Sequence, residues 1–143
     1  SITAQMTRMT YGAFSTVALA VEFASGAVGT MLGSYDSSYA YPDTQRVELN
    51  GTAGRAVIRD TVRELSLQAV GDETERVWRA GYFDDEARSF EQTMDRHLDA
   101  VLTALRAGTP PPVPLAAGRR ALELAHAAIR AHETGARVAT LPA

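Results

Sequence analysis

The hydrophobic period of this chain changes once, near Asp84, and that switch limits the folds open to it. Before it, apolar and polar residues alternate at a spacing of two. Val17, Leu19, Val21 and Phe23 fall on one side of one such run, and Ala18, Ala20, Glu22 and Ala24 on the other. After it, Phe90, Met94, Leu98, Val101, Leu102 and Leu105 recur every three to four residues, the spacing of an amphipathic helix. Strands followed by helices predict an α+β fold: a mostly antiparallel, open-faced sheet of about six strands, with two C-terminal helices packed on one face. At 143 residues and 45% apolar, the chain is expected to form a single domain over 1–143 with a core of its own.

Strands are predicted over 2–10, 16–24, 27–35 and 62–70, and on both sides of Asn50-Gly51. Ser25-Gly26 and Asn50-Gly51 are turn dipeptides, with Gly51 expected at positive φ. The first helix begins at Asp84 or Asp85, buries Phe90 and Leu98, and stops at Gly108 before Pro110 to Pro112. The second spans about 115–134, with Leu122, Ala125, Ile129 and His132 on one stripe; Gly135 ends it, and 136–140 form a short last strand. One face of the sheet is expected to collect Ala18, Ala20, Ala24, Ala27, Gly29 and Gly33. Small residues of that kind admit another sheet, a ligand or a covering segment of the same chain.

Several chemistries are excluded. In "ELNGTAGRAVIRD", Gly51 and Gly54 give GxxG rather than GxGxxG, and an alternating β-branched run follows where a phosphate loop needs a helix N-terminus. The stretch therefore reads as a hairpin that holds no cofactor. All 14 basic residues are arginine, so no Schiff base and no phosphate-loop lysine can form. Cysteine is absent, which removes disulfides, zinc–thiolate sites and thiol nucleophiles. His97, His126 and His132 make neither HxxxH nor HExxH and read as packed or capping residues, so no metal is expected. No GxSxG elbow surrounds Ser34, Ser37 or Ser38. A net charge of −3 gives no case for nucleic acid or a membrane surface, and no run reaches membrane-spanning length; a cytoplasmic setting is expected.

One segment stands apart. "GSYDSSYAYPDTQRVE", Gly33 to Glu48, places Tyr35, Asp36, Tyr39, Tyr41, Asp43 and Arg46 between two strands. Rings beside carboxylates, hydroxyls and a guanidinium suit a sugar or polyol, through stacking and directional hydrogen bonds. The same composition also fits a tyrosine-rich surface loop turning at Pro42.

Three stretches, "VALAVEFASGAVGTMLGSY", "RVELNGTAGRAVIRD" and "HLDAVLTALRAGTPPPVPLAAGRRALELAHAAIRAHETGARV", taken in that order, resemble the C-terminal domain of the glucose-fructose oxidoreductase / inositol dehydrogenase (Gfo/Idh/MocA) family. The resemblance implies a two-domain parent enzyme that depends on NAD or NADP. Its Rossmann half, with the glycine-rich loop and an E-K-P lysine, is expected outside this sequence, and so is the family's acid–histidine pair; His97 does not match it. This segment alone is thus expected to be catalytically inactive and to bind no cofactor. The resemblance also implies self-association through the open sheet face, and substrate contacts from Tyr39, Tyr41, Asp43 and Arg46. From the residues alone, a free-standing small-ligand-binding or dimerisation module remains the alternative.

Overall fold

A computed structural model of the protein describes residues 1–10, 12–38, 43–60, 63–80 and 90–140, and the side chains of residues 90 and 91 lie outside the description. Along the chain the elements are β1 (Ile2–Thr7), β2 (Thr16–Glu22), β3 (Val28–Ser34), β4 (Arg46–Gly51), β5 (Gly54–Arg59), β6 (Glu64–Ala69), β7 (Arg76–Arg79), α1 (Phe90–Ala107) and α2 (Leu115–Thr134). The expected α+β class, with antiparallel strands followed by two helices, is the class observed. The described strands number seven, hydrogen-bonded as two sheets in the orders β1-β2-β3 and β4-β5-β6-β7. The chain divides into two compact units, Ser1–Ser38 with Val113–Ala143, and Tyr39–Pro112.

In the first unit, α2 packs on β1 and reaches side chains of β2 on one face of the three-stranded sheet. Ile2 and Ala4 of β1 and Ala127, Ala128 and Ala131 of α2 form its buried core, joined by Met6, Leu19, Val21, Leu124 and Val138. The buried stripe of α2 is thus 124-127-128-131, a regular i, i+3, i+4, i+7 set. It departs from the predicted stripe, of which Leu122, at 65%, and Ala125 are exposed while Ile129 and His132 are half-buried. Alanine lets the helix axis approach the strands closely, so the larger side chains are not the ones that mark the contact. Two-way hydrogen bonds of 2.9 Å join Ile2 and Val138, all that remains of the predicted last strand. Gly108 and Gly135 end the helices at φ 65 and 64, as their positions predict.

Register corrects the expected second face of this sheet. Ala18 lies opposite Leu32 and Ala20 opposite Thr30, whereas Gly29 lies opposite Val21 and Gly33 opposite Val17. Directly opposed residues share a face. Gly29 and Gly33 therefore sit on the face of Leu19 and Val21, and a Cβ on Gly29 would meet the Phe23 ring at 3.4 Å. The open face carries Thr3, Gln5, Ala18, Ala20, Val28, Thr30 and Leu32, of which Val28 is 82% and Leu32 79% exposed. The number of residues in the Phe23–Ala27 turn sets which parity of β3 joins which parity of β2, and alternation within each strand is silent about it.

In the second unit, β4 to β7 form an antiparallel meander. Val47, Ile58, Leu65 and Trp78 make one apolar row across all four strands, beside Leu49, Ala56 and Leu67. The hairpin predicted around residue 50 forms, but its turn is Thr52-Ala53: β4 runs through Gly51, which pairs with Gly54. Gly51 is not at positive φ, whereas Gly54 has φ 155. The edge strand β7 escaped prediction because four residues are too few for a period. On α1, Leu98 is 52% exposed, against the expected burial, so removing its side chain opens no sealed cavity. The predicted start of α1 at Asp84 or Asp85 and the Phe90 side chain lie outside the described residues.

Candidate functional site

The six candidate residues divide between the two units. Tyr35 and Asp36 follow β3 in the first, Asp43 and Arg46 lead into β4 in the second, and Tyr39 and Tyr41 lie outside the described residues. The Tyr35 side chain stands in solvent at 72% exposure, while its N–H donates to the Ser15 carbonyl at 2.8 Å. Asp36 is the acceptor of a hydroxyl cluster. Thr10 donates to Oδ1 at 2.5 Å, and Ser15 and Thr16 donate to Oδ2 at 2.8 and 2.7 Å. These bonds, Thr10's foremost, then Thr16's and Ser15's, hold the Asp36 carboxyl below its ordinary range.

Asp43 and Arg46 belong to a charged network on one face of the second sheet. Arg46 and Arg59 lie directly opposite one another, a repulsive pairing by itself. Asp43, at φ 64, answers both: its Oδ2 accepts from Arg46 at 3.0 Å and from Arg59 at 2.9 Å. Arg46 also pairs with Glu48 at 2.6 Å, and those two acids, Glu48 first, raise its guanidinium further. Glu48 in turn accepts from Arg55 and Asn50. Glu64 pairs with Arg59 at 3.3 Å and Arg79 at 2.6 Å. Arg55, Asn50 and Arg46 together, Arg55 foremost, lower the Glu48 carboxyl to about 2.

A carboxyl lowered in the folded state contributes stability above its unfolded value, and that contribution fades as pH falls through the folded value. The part due to Glu48 should therefore be complete above 4.5 and disappear between 4.5 and about 2. Melting temperatures recorded across that window should fall more steeply for the wild type than for Glu48→Gln. Parallel curves would remove the network from the folded-state balance.

Residues outside the six candidates complete these clusters: Thr10, Ser15, Thr16 and Ser34 around Asp36, and Glu48, Arg55, Arg59 and Glu64 around Asp43 and Arg46. For the second set a signal existed. Arg46 and Glu48 share a strand face, and the hairpin brings Arg55 and Arg59 to the same face. The first set comes from strand ends and loops, whose meeting no local spacing announces. His132, expected as a packed or capping residue, accepts the Met6 N–H on Nδ1 at 3.2 Å and meets Phe14 edge-on at 5.1 Å, which ties α2 to β1.

An open groove of about 490 Å³ lies on the first sheet, lined among others by Thr3, Ala20, Val28, Thr30 and the ion pair Glu22–Arg137; none of the four described candidates, Tyr35, Asp36, Asp43 and Arg46, lines it. Among the described residues no cluster of three His, Asp or Glu side chains could hold a metal ion, and no described helix is long and apolar enough to cross a membrane. Gly51 and Gly54 bracket a turn that runs into strand β5. A dinucleotide pyrophosphate would find no helix N-terminus there, so these glycines do not fit such a cofactor.

The sequence profile described as "Oxidoreductase family, C-terminal alpha/beta domain" matches residues 5–140. The chain belongs to the Gfo/Idh/MocA oxidoreductase family. What it contains is that family's C-terminal domain. Solved structures agree on the fold of this Gfo/Idh/MocA domain. An oxidoreductase from Agrobacterium radiobacter, determined in complex with NAD+, L-tartaric acid and magnesium, matches at TM-score 0.74 and 13% identity, over 94% of this chain and 41% of that one. A "probable dehydrogenase" from Thermotoga maritima matches at TM-score 0.66 and 26% identity, over 96% of this chain and 41% of that one. The chain therefore spans about two-fifths of the length of either structure. No curated protein matches it.

Proposed function

We propose that residues 1–143 are the substrate-side and self-association domain of a longer NAD- or NADP-dependent oxidoreductase acting on a sugar or polyol. The observation that carries this reading is the match of nearly the whole chain to the C-terminal domain of an oxidoreductase family. The tyrosine- and acid-bearing segment 33–48 supports a hydroxylated substrate, and the Agrobacterium relative was determined with NAD+ and a small hydroxy acid. Bound elsewhere in the parent, the nicotinamide would supply the hydride acceptor or donor. This domain would contribute pocket wall and subunit contact, without turnover of its own. A nicotinamide pool suits a cytoplasmic setting.

The deciding assay mixes the full-length protein with a panel of sugars and polyols and either NAD+ or NADP+, and follows reduced nicotinamide by absorbance. Turnover of a panel member supports the reading. Turnover confined to compounds without a polyol skeleton ends it, as does turnover by the isolated 143-residue chain.

Self-association is assigned to the open face of β1-β2-β3, where Val28 and Leu32 stand in water. A stable pairing there needs roughly 1,200 Å² or more in total. Thr30→Arg, midway along β3 on that face, should split the assembly without unfolding it. Light scattering behind a sizing column reads the result. A wild-type chain that stays monomeric at ~100 μM, far above a ~1 μM dissociation constant, rules the pairing out.

A further inference from the structure

Asp36 has the composition of a ligand contact and the geometry of a brace. Three hydroxyls of this chain, from Thr10, Ser15 and Thr16, occupy three of its roughly four acceptor positions. The cluster extends further. Ser34 Oγ accepts the Asp36 N–H at 3.1 Å and shares a 2.7 Å hydrogen bond with Thr16 Oγ1. Ser15 is buried; its Oγ accepts the Met9 N–H at 3.1 Å, and its own N–H donates to the Thr7 carbonyl at 2.9 Å. The Ser15 carbonyl then accepts the Tyr35 N–H. The ends of β1, β2 and β3 thereby converge on one carboxylate, and the residue they leave pointing into solvent is Tyr35.

We propose that Asp36 is a positioning residue: it sets the place of Tyr35 at the substrate wall and does not itself touch the substrate. This rests on the reading of segment 33–48 as part of that wall. A carboxylate held ionised by three donors has no proton to offer a substrate hydroxyl at neutral pH, and its direct contacts are already made within the chain. Exchanging it for an amide turns one acceptor oxygen into a donor facing a hydroxyl. Ser15 loses its acceptor, and the backbone that carries Tyr35 is free to shift.

The test uses the full-length oxidoreductase with myo-inositol, D-glucose and their deoxy analogues, and NAD+ or NADP+. Asp36→Asn should raise KM about tenfold, the scale of one lost charge-assisted hydrogen bond, and should do so equally for each sugar and its deoxy analogues. Thr16→Val removes one donor with little change of volume and should raise KM in the same direction. The double variant should be no worse than Asp36→Asn, because both changes break one unit. A KM rise confined to analogues that keep one particular hydroxyl, with Thr16→Val silent, would make Asp36 a direct contact and overturn the proposal. Unchanged KM in both variants overturns it as well. Should the wild type turn over no panel member, it is the polyol reading that fails. Hydrogen exchange at the Tyr35 amide then decides the brace: lost protection in Asp36→Asn supports it, and unchanged protection overturns it.

Discussion

Gly54→Val is expected to destabilise the second sheet by ~3 kcal/mol or more, while Gly51→Val stays close to the wild type. A Cβ on Gly54 would lie 2.3 Å from the Gln68 carbonyl oxygen and 3.1 Å from the Ala69 Cα, both main-chain atoms of β6. No rotamer relieves a clash with backbone; β6 would have to move off β5, and its ladder with it. The φ of 155 adds a conformation that L side chains rarely adopt. At Gly51 the nearest atom to an added Cβ is the Gly54 carbonyl oxygen at 3.8 Å, an ordinary contact, and the residue lies in β4, where a β-branched side chain is well tolerated. Urea unfolding followed by circular dichroism measures both. Equal midpoints for the two variants would refute the close approach of β5 and β6 at Gly54, and a large loss at Gly51 would restore the turn to Asn50-Gly51.

Ala131→Asp should cost the first unit ~3–5 kcal/mol, the scale of a buried charge left without a partner. Ala131 is 1% exposed and packs with Ala127 and Ala128 against Ile2 and Ala4. An aspartate is too short to lead its charge back to water past the strand. Leu122→Asp, on the same helix at 65% exposure, should stay within ~0.5 kcal/mol. The pair decides which stripe of α2 faces the sheet. Chemical denaturation that finds the Leu122 variant the weaker one would turn the helix back to the stripe that its larger side chains suggest.

Much of the secondary structure is legible in local pattern. The spacing of two marks β2 and β3, the spacing of three to four marks α1 and α2, and Gly108 and Gly135 sit where an αL residue must close a helix. These are short-range facts: dihedral preference and solvent exposure act over a few residues. β7 fell below that limit, since four residues carry too little alternation to count. The candidate site is legible as composition only. A row of tyrosines and carboxylates shows which chemistry is available, but not which acceptors the chain itself fills. The hydroxyl partners of Asp36 come from residues 10 to 16, 20 or more positions away, beyond the reach of any local window.

The sequence by itself determined the class of the fold, the C-terminal ends of its helices, the absence of lysine and cysteine chemistry, and the family. Each is a property of single residues, short windows or their order. Tertiary structure alone decided which faces meet. One residue more or less in the turn between β2 and β3 would exchange the partners of every side chain on the two strands, so Gly29 and Gly33 went to the helix side and Thr30 and Leu32 to the open one. It also decided that Ala127, Ala128 and Ala131 with Leu124, and not Leu122, seat α2. A close contact is selected by how near two backbones can come, and the side chains that permit the closest approach are the ones whose pattern is hardest to see in a sequence.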